Sequence, residues 1–463
     1  AATMLDFFAG SAPAREAVLT NAITQAKVTS NEPLLVKIVA AAGGGATSSF
    51  NTFSDLYGNS TVFGNAANNS PAISLLSRSL IGMTAMANNT NAINIVLART
   101  PALNAIAASP TAMAQISQSV VAMPLIEVNT TALNVFVASR NAMNFLAGDA
   151  YARSELLSTS QGQTAIRGSS IAMAKVMAAE VGFSPTLYAD MTVASSSSAL
   201  MAAIAENNVA RTQLLNSTVA LNILVNYRNG MRALAASQNA MTVMANSGTA
   251  MSYIDNAGAA MDAVVESSVA MTVMASVPNA MNYIGGDSIF RTKVANNVGA
   301  LNIVRASSMA VGKLVAGFNS INGANWATNF TSIAGNTDEM NALAQNSLQM
   351  SIVTESAPAL TAIMASSSAL SRIAAYTPAM SAIVNSDFAM TQFAANNAGM
   401  NTIASTDAFR RLTVARTSAL NIVRGSSMAV AKLITGFNGA ETGNIGIGGT
   451  DSSAPIGGTR YNI

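Results

Sequence analysis

A chain of 463 residues is long enough for two to four ordinary domains. Half of its residues are hydrophobic, yet only 10% are charged and 5% aromatic, and 23 basic residues stand against 21 acidic ones. With no basic block and no run of 18 apolar residues, neither nucleic acid nor a membrane span is expected. The absence of cysteine excludes disulfides and thiolate metal sites. The absence of histidine removes imidazole ligands and the usual Ser-His-Asp chemistry. No cofactor, metal or catalytic residue is expected, and the chain does not read as an enzyme.

The chain opens AATMLDFFAGSAPAR, without a charged n-region, so no signal peptide is expected. Arg15 and Lys37 follow, and then a Gly/Asn-rich insert near 40–70. From there a ten-residue beat begins. Small residues at 72, 82, 92, 102, 112, 122, 132 and 142 are each followed by Ile, Met or Leu. A second series runs through Ala210, Ala220 and Gly230 to Ala280, and includes NAMTVMANSGTAMSYIDNAGAAMDAVVESSVAMTVMASVPNAM. A third passes through Met340, Met350, Leu360, Leu370, Met380, Met390 and Met400. The consensus is roughly S-x-x-A-M-x-x-I-A-x.

Its apolar positions share one side of an α-helix, but ten residues at about 100° each leave a drift of about 80° per repeat. A continuous helix would therefore have no fixed apolar face. An even period also admits a strand, and proline decides between the two. Pro71, Pro101, Pro110, Pro278, Pro358 and Pro378 stand one or two residues before the Ala, four of them directly after Ser or Thr. That is how helices begin, whereas each would delete a bond from a β-ladder. The beat predicts an all-α solenoid. Each unit has a Ser, Thr or Asn cap, seven or eight helical residues and a tight reversal, with two units per helical hairpin, interrupted by irregular segments. The Met stripe reads as core.

A longer repeat lies over the short one. Arg291, Arg305 and Lys313 in RTKVANNVGALNIVRASSMAVGKLVAGF recur as Arg410, Arg424 and Lys432, as Arg153, Arg167 and Lys175, and as Arg15, Thr29 and Lys37. These copies divide the chain into module 1 (1–138), module 2 (139–276), module 3 (277–395), a truncated module 4 (396–440) and a Gly-rich C-terminal arm (441–463). The recurring cations are expected to bond helix C-terminal carbonyls or to reach carboxylates across a module joint. Docking sites for a polyanion or a partner subunit are the alternative. After each Lys the beat breaks, and these breaks hold many aromatics, including Trp326. They read as corners, caps or binding surfaces. Asp338 and Glu339 supply negative charge at a helix start. The closing Arg460-Tyr461-Asn462-Ile463 suits an arm that docks on another subunit, with a disordered tail as the alternative.

GNIGIGG and AAAGGG lack the context and the Lys-Ser/Thr of a phosphate loop. Asp55 and Asp190, in the interrupted segments, are where a carboxylate pair for glycan hydrolysis would be sought.

Phrases such as TAMAQISQS, NAMTVMANS and PAMSAIVNS, over roughly residues 70 to 435, resemble the short-period regions of tailed-bacteriophage virion proteins of the tail-fibre or fibrous-appendage type. The resemblance implies a structural virion component, an elongated fibre or appendage that contributes to host attachment. Its implied partners are other virion structural proteins, copies of itself and a host surface receptor, and its implied location is the virion. A bacterial surface or secreted adhesin or matrix protein, at the cell surface, is the alternative. A carboxylate-based glycan hydrolase stands behind both.

Overall fold

The computed structural model describes residues 2–441, 453–456 and 459–462. They form the expected all-α solenoid of short helices, together with one antiparallel hairpin in which Ser453 of Ser453–Ile456 faces Asn462 of Thr459–Asn462. The Gly-rich stretch of the arm and the anchor residue Ile463 lie outside the described residues. The chain divides into two compact units, Ala1–Ala233 and Leu234–Ile463.

The drift that forbids one long helix is relieved by a break in every decade. In the first unit, Ser109 closes helix Thr100–Ala108 and opens helix Pro110–Ser117 with φ −94° and ψ 116°. One extended residue thus makes the whole corner. Its hydroxyl oxygen accepts the N–H of Ala112, as an N-cap should. All six prolines of the beat fall in the first turn of a helix, where no intrahelical bond is lost.

Consecutive helices touch as helix–turn–helix pairs, and in the second unit two such corners bend by 96° and 115°. Corners of that size nearly close a triangle after three helices. Within the regular runs each helix therefore stacks on the third one before it. In the first unit Pro110–Ser117 lies on Leu80–Ala87 and Arg140–Gly148 on Pro110–Ser117; in the second, Ser268–Ser276 lies on Gln238–Asn246 and Val298–Arg305 on Ser268–Ser276. The stacking period is three units, a count the decimal beat leaves undetermined.

The corner serine also ties the coils together. Its hydroxyl donates to the C-terminal carbonyl of a helix one coil earlier, 32 residues back: Ser109 to Ser77 at 2.6 Å, Ser119 to Ala87 at 2.5 Å and Ser169 to Val137 at 2.6 Å. The second unit repeats it, with Ser267 on Ala235 at 2.6 Å and Ser366 on Ala334 at 2.8 Å. Between these ties the Ala-Met pairs fill the core, Ala112, Met113, Ala250 and Met251 being fully buried. Burying one Met side chain contributes about 1.5–3 kcal/mol, which stabilises helices too short to persist alone.

The breaks in the beat are corners of another kind. After helices Glu32–Ala42 and Ser170–Glu180 the chain turns through Gly44 (φ 82°) and Gly182 (φ 81°), where an L side chain is disfavoured. The third copy places Ser320 there at φ 58°. Short helices Phe53–Gly58, Met191–Ser196 and Phe330–Gly335 follow, and the ordinary beat then resumes with Ser60–Asn68, Ser198–Glu206 and Thr337–Gln345.

Candidate functional site

The recurring Lys is a buried latch. Lys37, Lys175 and Lys313 sit on the long helices that precede the three corners and are only 1–4% exposed. Each ammonium donates to a polar side chain 31 residues back and to a carbonyl in the corner ahead. Lys37 reaches Asp6 Oδ1 at 2.6 Å and Thr47 O at 2.8 Å. Lys175 reaches Asn144 Oδ1 at 2.5 Å and Pro185 O at 2.8 Å. Lys313 reaches Asn282 Oδ1 at 2.5 Å and Ala324 O at 3.4 Å. The fourth copy, Lys432, keeps the side-chain bond, to Asn401 at 2.5 Å. Burial holds the Lys175 and Lys313 ammonium groups below the usual lysine range, with Arg140 adding to the effect at Lys175.

The first recurring Arg caps a helix end. Arg15, Arg153, Arg291 and Arg410 donate to the carbonyls of Ala9, Ala147, Gly285 and Ala404, each six residues back, at 2.5–2.8 Å. Arg153 also pairs with Glu180 at 2.5 Å, and Arg291 and Arg410 lie over the rings of Phe318 and Phe437. The second Arg joins the end of its own helix to the coil beyond the corner: Arg167 donates to Gln213, and Arg305 to the carbonyls of Ser351 and Ile352. At this same position the carbonyls of Thr29, Arg167 and Arg305 accept from Ser79, Ser217 and Ser356, each at 2.6 Å across 50 or 51 residues. The ordinary cross-coil tie spans 32 residues, so each corner lets the chain detour and rejoin the same stacking scheme.

Asp55 and Asp190 are not brought together as a carboxylate pair. Asp55 completes a capping box, accepting from the N–H groups of Asn51 and Thr52 at 2.9 Å, and these bonds hold its carboxyl below the ordinary range. Asp190 caps Met191–Ser196 through the N–H groups of Thr192 and Val193 and pairs with Arg140 at 3.4 Å. Asp338 and Glu339 open helix Thr337–Gln345 as expected, but Glu339 does more. It is fully buried and receives Asn319 and Asn322 from the corner, at 2.5 Å and 3.0 Å.

Glu127 forms a carboxyl pair with Glu155, on successive coils of the first unit. Burial, then the hydrogen bond that the protonated Glu127 donates to Glu155 and the charge of Glu155, push Glu127 up to about 7. One Glu127 oxygen is buried without a partner. In the second unit Asp255 is pushed up to about 6 by burial and by Asp287. Both acids stand at or just past a helix C-terminus, the end that disfavours negative charge. Sequence reasoning passed over Glu127 and Glu155 because they are 28 residues apart, and only the coil period makes them neighbours. Among the described residues, no group of three or more Asp or Glu side chains gathers as it would to hold a metal ion.

The concavities follow the repeat as well. One, of about 760 Å³, is a groove between the stacked helices Thr130–Ala138 and Ser160–Arg167, lined by Thr130, Asn134, Gln161 and Thr164 among others. Its walls carry hydroxyls and amides with no acid or base. No protein-family model matches the chain, and no characterised protein matches it in sequence.

Proposed function

We propose that the chain is a structural component of a phage virion, forming an elongated fibre or appendage and acting without catalysis. The observation that carries this reading is what the recurring charged residues do. The Lys latches and the Arg caps are used inside the protein to hold coils and corners, as a load-bearing scaffold would use them. The likeness of its repeat phrases to phage fibre proteins supports the virion setting. Other virion proteins, further copies of the chain and a host surface receptor are the partners that setting supplies.

Negative-stain electron microscopy of the purified chain tests the structural reading. Rods or curved ribbons well over about 100 Å long are expected for short helices stacked at about 8–10 Å per layer. A globule about 50–60 Å across would sink the fibre role. Gold-labelled antibodies against the chain, applied to cultures that produce it, should decorate appendages of phage particles. Decoration of the bacterial envelope instead would replace the virion component by a surface adhesin.

A further inference from the structure

Two of the recurring lysines hold a charge that nothing beside them answers. Lys175 and Lys313 are 2% and 4% exposed. Each ammonium meets two neutral oxygens, Asn144 Oδ1 and Pro185 O for Lys175, Asn282 Oδ1 and Ala324 O for Lys313. Among the described residues neither lysine forms an ion pair. Arg140 adds like charge near Lys175 and is itself paired with Asp190. A buried ammonium without a counter-ion is costly, and burial accordingly holds both groups below the usual lysine range. Lys37 meets the same problem with a carboxylate, Asp6 at 2.6 Å. A latch alone does not account for the amide in the interior copies, since Asp would accept the same bond and balance the charge as well.

An amide differs from a carboxylate in what an amine can do to it. The carboxamide carbon is an electrophile that carries a leaving group, whereas the negative charge of a carboxylate repels a nucleophile. Each Asn lies 31 residues back on the helix stacked against that of its Lys, Arg140–Gly148 against Ser170–Glu180 and Pro278–Gly286 against Ser308–Asn319. With Nζ 2.5 Å from Oδ1 at the usual angle of a carbonyl hydrogen bond, Nζ stands about 3–3.5 Å from Cγ, the separation of a near-attack arrangement. Pro185 O at 2.8 Å and Ala324 O at 3.4 Å hold the amine from the corner side.

We propose that Lys175 joins Asn144, and Lys313 joins Asn282, as isopeptide bonds that staple successive coils. Once the ammonium has lost a proton, the Nζ lone pair forms a bond to Cγ and the carbonyl π pair moves onto Oδ1. One Nζ proton passes to Nδ2. The carbonyl then reforms and the Cγ–Nδ2 bond breaks, its electron pair leaving on ammonia, which takes up the proton that the ammonium gave up. The step is redox-neutral and needs no co-reactant. It removes the unanswered charge and closes a loop across 31 residues, one in each compact unit. Such a cross-link restricts the unfolded chain as a disulfide does, in a chain that has no cysteine. The staples rest on this geometry and not on the structural-component reading.

The test is peptide mapping by mass spectrometry of the full chain, purified folded, held at mildly alkaline pH and then digested with trypsin, which does not cut after an acylated lysine. The expected product joins segment 141–153 to segment 168–211, uncut at Lys175 and lighter than their sum by one molecule of ammonia. A matching product joins 233–291 to 306–372, uncut at Lys313. Lys37 should remain a free amine and be cut. Chain kept unfolded in guanidinium throughout should give neither product, because the pairs meet only when the helices stack. Asn144→Asp keeps an acceptor and supplies the missing counter-charge, so it should stay folded by circular dichroism, lose the first product and keep the second. Folded wild type that yields only linear peptides ending at Lys175 and Lys313 overturns the proposal, a readout that needs no variant to fold. Joined products of equal yield in the unfolded sample overturn it too, as does a first product that survives in Asn144→Asp.

Discussion

Glu127 couples the fold to pH. Its carboxyl, near 4.5 in an unconstrained chain, is pushed up to about 7 in the folded protein by burial and by Glu155. Between those two values the folded state holds a proton that the unfolded state has released. Stability from this site is therefore lost as pH rises from about 4.5 to about 7. Glu127→Gln keeps the shape and the hydrogen bond to Glu155 and removes the titration. Thermal melts should show the variant more stable than wild type at pH 8 and equal to it at pH 4.5. Parallel curves across that range would show that Glu155 and burial do not act on Glu127 as the geometry indicates. Asp255 adds a weaker dependence of the same sign in the second unit, centred lower because its carboxyl is pushed up only to about 6.

A corner residue in this protein does the work that a loop does elsewhere. Ser109 accepts the N–H of Ala112 at 3.2 Å and donates to Ser77 O at 2.6 Å, so one hydroxyl caps its own helix and binds the coil beneath. Ser109→Ala leaves both backbone groups without that partner in a nearly dry site, where Ser109 is 6% exposed. A lost cap costs about 1 kcal/mol and a lost buried bond a similar amount, so urea unfolding should show a loss of about 2 kcal/mol. A change below about 0.5 kcal/mol would mean the cross-coil tie is incidental. Asparagine at other corners, such as Asn129 and Asn207, makes the cap through its carbonyl oxygen and thus forms the same helix start.

For the molecule as a whole, the ten-residue unit is the quantum of length. Removing residues 100–109 from the first unit joins Arg99 to Pro110, which still begins a helix, and keeps every later corner at a helix end. The 32-residue ties then find new acceptors, Ser119 meeting the carbonyl of Ser77 and Ser139 that of Leu97. Removing residues 100–104 puts the buried Ala-Met face half a unit out of step. The ten-residue deletion should melt cooperatively within about 5 °C of wild type, as expected for a modest loss of burial. The five-residue deletion should lose the cooperative transition, as seen by circular dichroism. Equal damage from both deletions would show that particular side chains, and not the unit, hold the stack.

The beat, the prolines and the Ser/Thr/Asn caps were enough to establish short helices, their start points and their buried face. These are local properties, set by backbone hydrogen bonding and by periodicity within a single unit. The recurring Arg and Lys were legible as joint residues because they repeat at fixed offsets, and the structure shows them bonding carbonyls and side chains across coils. The number of helices per coil was not legible. It follows from the angle at each corner and from which helices meet, and a ten-residue period is compatible with any such count. The same gap hid Glu127 and Glu155, whose proximity depends on the coil, and the upward push on the Glu127 carboxyl, which comes first from burial. The sequence by itself determined the unit and its helix; only the tertiary structure decided how units stack, because stacking joins residues about thirty apart through contacts that no local pattern encodes.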